Sequence, residues 1–165
     1  MGKKIFDNLE GYFCVGALAA MSVVVFIQVV CRFVLKSSLP WSEEVSRYLL
    51  VWVSFLGGAY GVRQGAHIGV EAFMLLFPKK IQQVVAIFVT IASMLLCAVI
   101  LKYGIDIVST QLSKMQVSPA MRMPMGYMYA AIPIGMVFFI IRYFQMLMEQ
   151  FKDLKAKDTK VGGAE

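Results

Sequence analysis

Four long stretches of this chain carry no charged side chain, and they limit the folds open to it more than any other feature. They cover residues 11–31, 48–62, 81–101 and 123–141, which is 21, 15, 21 and 19 residues. A helix that crosses a bilayer needs about 20 mostly apolar residues. Three stretches meet that length directly. The one at 48–62 meets it if the helix begins near Ser42 and Arg47 snorkels toward the interface. With 59% of its 165 residues hydrophobic, the chain has more apolar surface than a soluble domain of this size can bury. The fold class expected is therefore all-α: an integral membrane protein with four transmembrane helices at about 11–35, 42–64, 81–108 and 124–148. One membrane domain would occupy 1–157, with a flexible cytoplasmic tail at 158–165.

The net charge of +6 would suggest nucleic acid in a soluble protein. Here the placement of Lys and Arg reads better as membrane orientation. One side of the four spans receives Lys3, Lys4, Arg63, Lys79, Lys80, Arg142, Lys152, Lys155, Lys157 and Lys160. The other receives Arg32, Lys36, Arg47, Lys102, Lys114 and Arg122. Ten against six places both termini in the cytoplasm. Lys3 and Lys4 before an apolar run resemble a secretory signal, but the apolar run continues well past Ala17-Leu18-Ala19, so an anchor that stays in place is expected.

Local signals mark the ends of the spans. Pro40 and Trp41 stop the chain at the outer interface, and Ser42 reads as the N-cap of the second helix, with Glu43 and Glu44 in its first turn. After that helix, Val70, Phe73, Met74 and Phe77 fall at helical spacing. Residues 68–77 thus suit either a short interfacial helix or an extension of the second span. Pro133 lies inside the fourth span and should kink it.

Three groups of residues invite a functional reading. Gly57, Gly61 and Gly65 recur every four residues, with Gly58 and Ala59 beside them, so one helix face is left small for close approach of another backbone. His67, the one histidine, pairs in sequence with Glu71, but a metal site needs at least three protein ligands and a bis-histidine haem needs a second histidine. A hydrogen-bonded histidine at the inner interface, near Arg63, fits better. At the opposite membrane surface, Arg32, Glu43, Glu44, Arg47, Lys102 and Asp106 should share one depth. They form either a solvated rim among phospholipid headgroups or a polar contact surface. Arg142 is expected at the lipid-headgroup level of the cytoplasmic side.

All ten acidic residues lie at span ends or in loops. A proton-coupled carrier ordinarily holds an ionisable residue at depth. The chain therefore reads as an accessory or scaffold subunit rather than a carrier in its own right. Cys14, Cys31 and Cys97 fit no metal motif. Neither enzymatic activity nor a cofactor is expected. The rival readings are a self-sufficient small carrier acting as a homodimer and a membrane anchor for a redox enzyme.

The run "PWSEEVSRYLLVWVSFLGGAYGVRQGAHIGVEAF" resembles the small, Q-type membrane subunit of tripartite ATP-independent periplasmic (TRAP) transporters. The resemblance rests on Trp41-Ser42-Glu43-Glu44, Arg47, Gly57 or Gly58, Arg63, and His67 followed by Val70. "PMGYMYAAIPIG" at 124–135 is similar to that family's entry into its fourth helix. It implies a four-helix inner-membrane scaffold that braces a large M-type permease subunit. That subunit would carry a carboxylate (C4-dicarboxylate or sialic acid) together with sodium, receiving it from a periplasmic solute-binding protein. Trp41, Glu43, Glu44, Arg47, Gly57, Gly58, Gly61 and Gly65 then become candidates for helix packing or the subunit interface.

Overall fold

The structure is a computed structural model that describes residues 9–37, 39–63 and 79–161. In chain order its helices are α1 (Leu9–Phe33), α2 (Pro40–Arg63), α3 (Lys79–Ser113), α4 (Gly126–Tyr129) and α5 (Ala131–Val161). Four stretches are long and apolar enough to cross a membrane: Gly11–Phe33, Pro40–Val62, Ile81–Ser113 and Gly126–Lys152. The chain is an all-α, multi-pass membrane protein.

The helix ends differ from expectation in ways that side-chain chemistry explains. α2 begins at Pro40, not at Ser42. Proline suits a first helical position because its missing N–H would have had no partner there. Ser42 therefore sits inside the first turn, where its hydroxyl donates to the Leu39 carbonyl at 2.6 Å instead of capping. α3 runs five residues past the expected Val108. The hydroxyls of Ser109, Thr110 and Ser113 donate to the Asp106 and Ser109 carbonyls, so polar residues continue the helix at little cost. Its 35 residues extend over about 52 Å at 1.5 Å each, well beyond a hydrocarbon core of about 30 Å. α3 closes at Met115, which takes the left-handed conformation (φ 47) while Gln116 N donates back to the Gln111 carbonyl.

The fourth span is interrupted between Tyr129 and Ala131. Pro133 has no N–H to offer the Tyr129 carbonyl, so the break falls one turn before it, as the sequence suggested. α5 then continues to Val161. Nothing from Lys152 to Val161 is glycine or proline, and Lys, Leu and Ala favour helix. Residues 162–165 and the possible interfacial helix at 68–77 lie outside the described residues.

The helices pack in the order α1, α2, α5, α3. α1 is antiparallel to α2: the Gln28 amide donates to Glu43 at 2.9 Å, and Cys14 lies by Val53 and Gly57. α2 and α5 run parallel, with Phe55 against Gly135 and Gly58 against Phe139. α3 returns antiparallel to α5, and Thr90 and Gln150 exchange hydrogen bonds across that seam. A compact core forms where three helices meet, around Val62, Cys97, Met136 and Tyr143. The arrangement is an open row more than a closed bundle. Between 11% and 28% of each span's most apolar stretch is buried within the chain, so most of the apolar surface needs lipid or another protein.

Candidate functional site

The Pro40 end of α2 organises the most elaborate polar structure among the described residues. Glu44 projects toward the loop that joins α3 to α4. Residues 116–125 fold back as a tight hairpin. Val117 and Pro124 form an isolated bridge, Ser118 N donates to the Met123 carbonyl at 2.9 Å, and Met125 N donates to the Gln116 carbonyl at 2.9 Å. Arg122 turns the chain through the left-handed region (φ 52), and its N–H donates to the Ser118 carbonyl at 3.1 Å. That turn leaves the N–H groups of Ala120 and Met121 side by side, aimed at α2.

Both of these N–H groups donate to Glu44 Oε2, at 3.1 and 2.9 Å. The Tyr48 hydroxyl, one turn along α2, donates to Oε1, and the buried Ser118 hydroxyl is also hydrogen-bonded to this carboxylate. Glu44 is 9% exposed. A carboxylate that buried persists when several donors converge on it, and hydrogen bonds to an ionised acceptor are the strong ones. The result is a latch that ties the α3–α4 loop to α2 across 77 positions of sequence.

The charges expected to share one rim separate into two groups. Arg32, Glu43, Arg47, Lys102 and Asp106 are exposed, whereas Glu44 is inside the protein. Glu43 joins α1 to α2 through Gln28. Trp41 is 45% exposed at the start of α2. Between α2 and the loop lies a cleft of about 340 Å³, with Glu43, Arg47, Pro119 and Tyr129 in its walls. A smaller, more apolar hollow of about 260 Å³ lies beside Trp52, Met121 and Met128.

The glycine face also divides. Gly57 faces α1, where an added Cβ would sit at ordinary contact distance, 3.5 Å from Cys14 Sγ. Gly58 faces α5, where a Cβ would come within 2.6 Å of the Phe139 ring. Ala59 is fully buried and Gly61 half-buried. The Arg63 side chain, Gly65, His67 and Glu71 lie outside the described residues. Arg142 is 7% exposed, and its guanidinium donates to Gln145 at 2.9 Å.

Sequence reasoning missed Gly135, where an added Cβ would lie 2.5 Å from Phe55, closer than at Gly57 or Gly58. It also missed Ser118 and the amides of Ala120 and Met121. Gly135 sits among small residues in "AAIPIG", the one signal that marks it. The amides carry no side-chain signal.

A profile of the DctQ component of tripartite ATP-independent periplasmic transporters matches residues 21–153. Relatives agree with it. The ectoine TRAP transporter small permease protein TeaB of Halomonas elongata is 26% identical, over 94% of this chain and 79% of TeaB. The sialic acid TRAP transporter small permease protein SiaQ of Vibrio cholerae is 24% identical, over 92% of this chain and 87% of SiaQ. The isethionate TRAP transporter permease protein DctMQ of Oleidesulfovibrio alaskensis is 26% identical over 94% of this chain. There the chain spans 25% of the relative's length.

Proposed function

The chain belongs to the DctQ component family of tripartite ATP-independent periplasmic transporters, and from that premise we propose that it is the non-catalytic scaffold subunit of a sodium-coupled transporter. It braces a large M-type permease subunit in the inner membrane, with both of its own termini cytoplasmic. The large subunit receives a carboxylate solute, of the C4-dicarboxylate or sialic acid class, from a periplasmic binding protein. Phospholipid covers the remaining apolar surface.

One observation carries the scaffold reading: an open row of four helices that buries little of its own apolar surface and holds no acidic side chain in the middle of a span. A carrier would need a titrating group or broken backbone at depth, and buried Arg142, hydrogen-bonded to Gln145, stays charged and so carries no proton. Here the only interruption described within a span is the short step at Ala130, whose N–H still donates to the Gly126 carbonyl at 2.9 Å. The buried carboxylate is spent on holding a loop. Such a chain supplies a shaped, rigid wall. The excess of Lys and Arg on the side of the chain ends supports the orientation.

The test is co-expression with an M-type large permease subunit from the same genome. The two proteins should co-purify in mild detergent, and deleting this chain should abolish solute uptake in cells that still make the large subunit. Solute transport by this chain alone would instead support the homodimeric carrier.

A further inference from the structure

We infer that the exposed stripe of α2 through Glu43, Arg47, Leu50 and Ser54 seats a membrane-embedded helix of the large permease subunit; this rests on the scaffold reading above. α2 is the least apolar of the four spans. Glu43, Arg47, Leu50 and Ser54 are exposed and recur at i, i+4, i+7 and i+11, so they form one line along the helix. Half-exposed Gly61 lies further along the same helix. At the Pro40 end it opens into the 340 Å³ cleft walled by Glu43, Arg47 and the latched loop.

The other exposed stripe in the middle of the row has the opposite chemistry. On α5, Ile134, Val137, Ile141, Phe144 and Met148 are exposed at the same helical spacing, and all are apolar. Acyl chains solvate that surface well. They gain nothing from a guanidinium, a hydroxyl or a bare glycine backbone. Helix partners in a membrane do, because small residues admit a close backbone and polar groups find acceptors across the interface. The α2 stripe is thus built for protein and the α5 stripe for lipid.

Depth selects the occupant. Ser54 is 14 residues along from Pro40, about 21 Å down the helix axis, inside a hydrocarbon core about 30 Å thick. A water-soluble binding protein does not reach it. In the isethionate relative, the region matching this chain is 25% of a longer permease polypeptide, so most of that polypeptide is tethered to the matching region. The large subunit is the membrane partner this fits, and its facing helix should offer an acceptor, a carboxylate or helix-end carbonyls, to Arg47.

The stripe is open to direct test at Leu50 and Ser54, both of which are exposed. The Ser54 hydroxyl donates at 2.7 Å to Leu50 of its own helix. A photoreactive benzoylphenylalanine is placed at 50 or 54, and for comparison at 141 or 144, in cells co-expressing the large subunit and binding protein. Irradiation should yield adducts with the large subunit from 50 and 54, at least tenfold more than from 141 and 144. Arg47→Glu should lower co-purification tenfold or more without changing the amount of chain in the membrane, and Ile141→Phe should leave it unchanged. Adducts from 141 and 144 but not from 50 and 54 would overturn the assignment while leaving the scaffold reading intact. So would adducts between two copies of this chain at 54. Failure of the unaltered chain to co-purify with the large subunit would defeat the scaffold reading, and this inference with it.

Discussion

Replacing Gly135 by alanine adds one methyl group where α2 and α5 cross closely. The new Cβ would lie 2.5 Å from Phe55 Cβ and 3.2 Å from its Cγ. The first of these atoms is fixed to the α2 backbone, so no rotation of the phenylalanine ring relieves the overlap, and α2 and α5 must separate. Overpacking of this kind costs roughly 1–3 kcal/mol. Alanine also favours helix over glycine by about 1 kcal/mol, which offsets part of that loss. Gly16→Ala isolates the second effect, because nothing lies within 4 Å of a Cβ there. Unfolding of both variants in detergent micelles, titrated with SDS and followed by circular dichroism, gives the difference. Gly135→Ala should be about 1–3 kcal/mol less stable than Gly16→Ala, roughly 5- to 160-fold in the unfolding equilibrium at about 1.36 kcal/mol per tenfold. Gly58→Ala should fall between them, since its clash at 2.6 Å is with the far end of the Phe139 ring, which can swing aside. Equal stability of the Gly135 and Gly16 variants would refute the close crossing of α2 and α5.

Other consequences follow from the polar contacts. Glu44→Ala should free the Ala120 and Met121 amides and raise their hydrogen exchange at least tenfold, while Glu43→Ala leaves them protected; unchanged protection in Glu44→Ala would remove the latch. Thr90→Val should destabilise the α3–α5 seam by about 1 kcal/mol, because it takes away the buried hydroxyl that meets half-buried Gln150, and the same SDS titration reads it. Pro133→Ala should restore an N–H opposite the Tyr129 carbonyl and join α4 to α5, seen as slowed amide exchange across 129–133.

The four membrane helices were legible because lipid imposes a length and a polarity on any helix that crosses it, and the uncharged runs satisfied both. The ends were less legible. Ser42 looked like a cap because serine commonly caps, yet Pro40 is also a good first residue, and the helix took the earlier start. α3 outran its apolar stretch because serine and threonine hydroxyls can satisfy themselves on their own helix. The four-residue glycine spacing suggested a small face, but spacing does not say which helix lies against it. Gly57 and Gly58 in fact meet different neighbours, and a closer contact than either falls on Gly135. The Glu44 latch was hidden for a deeper reason. Half of its partners are main-chain amides 76 and 77 residues away, and their availability depends on a turn at Arg122 that no residue type announces. The burial of Arg142 was likewise illegible, because the helix rotation that buries it is set by packing.

The account rests on this chain bracing a transporter that it does not itself operate. Purified proteins in liposomes with an inward sodium gradient and the solute-loaded binding protein outside measure that directly. The account predicts solute uptake by the large subunit together with this chain, and background uptake by either membrane protein alone. Uptake by this chain alone, or undiminished uptake by the large subunit without it, would contradict the account.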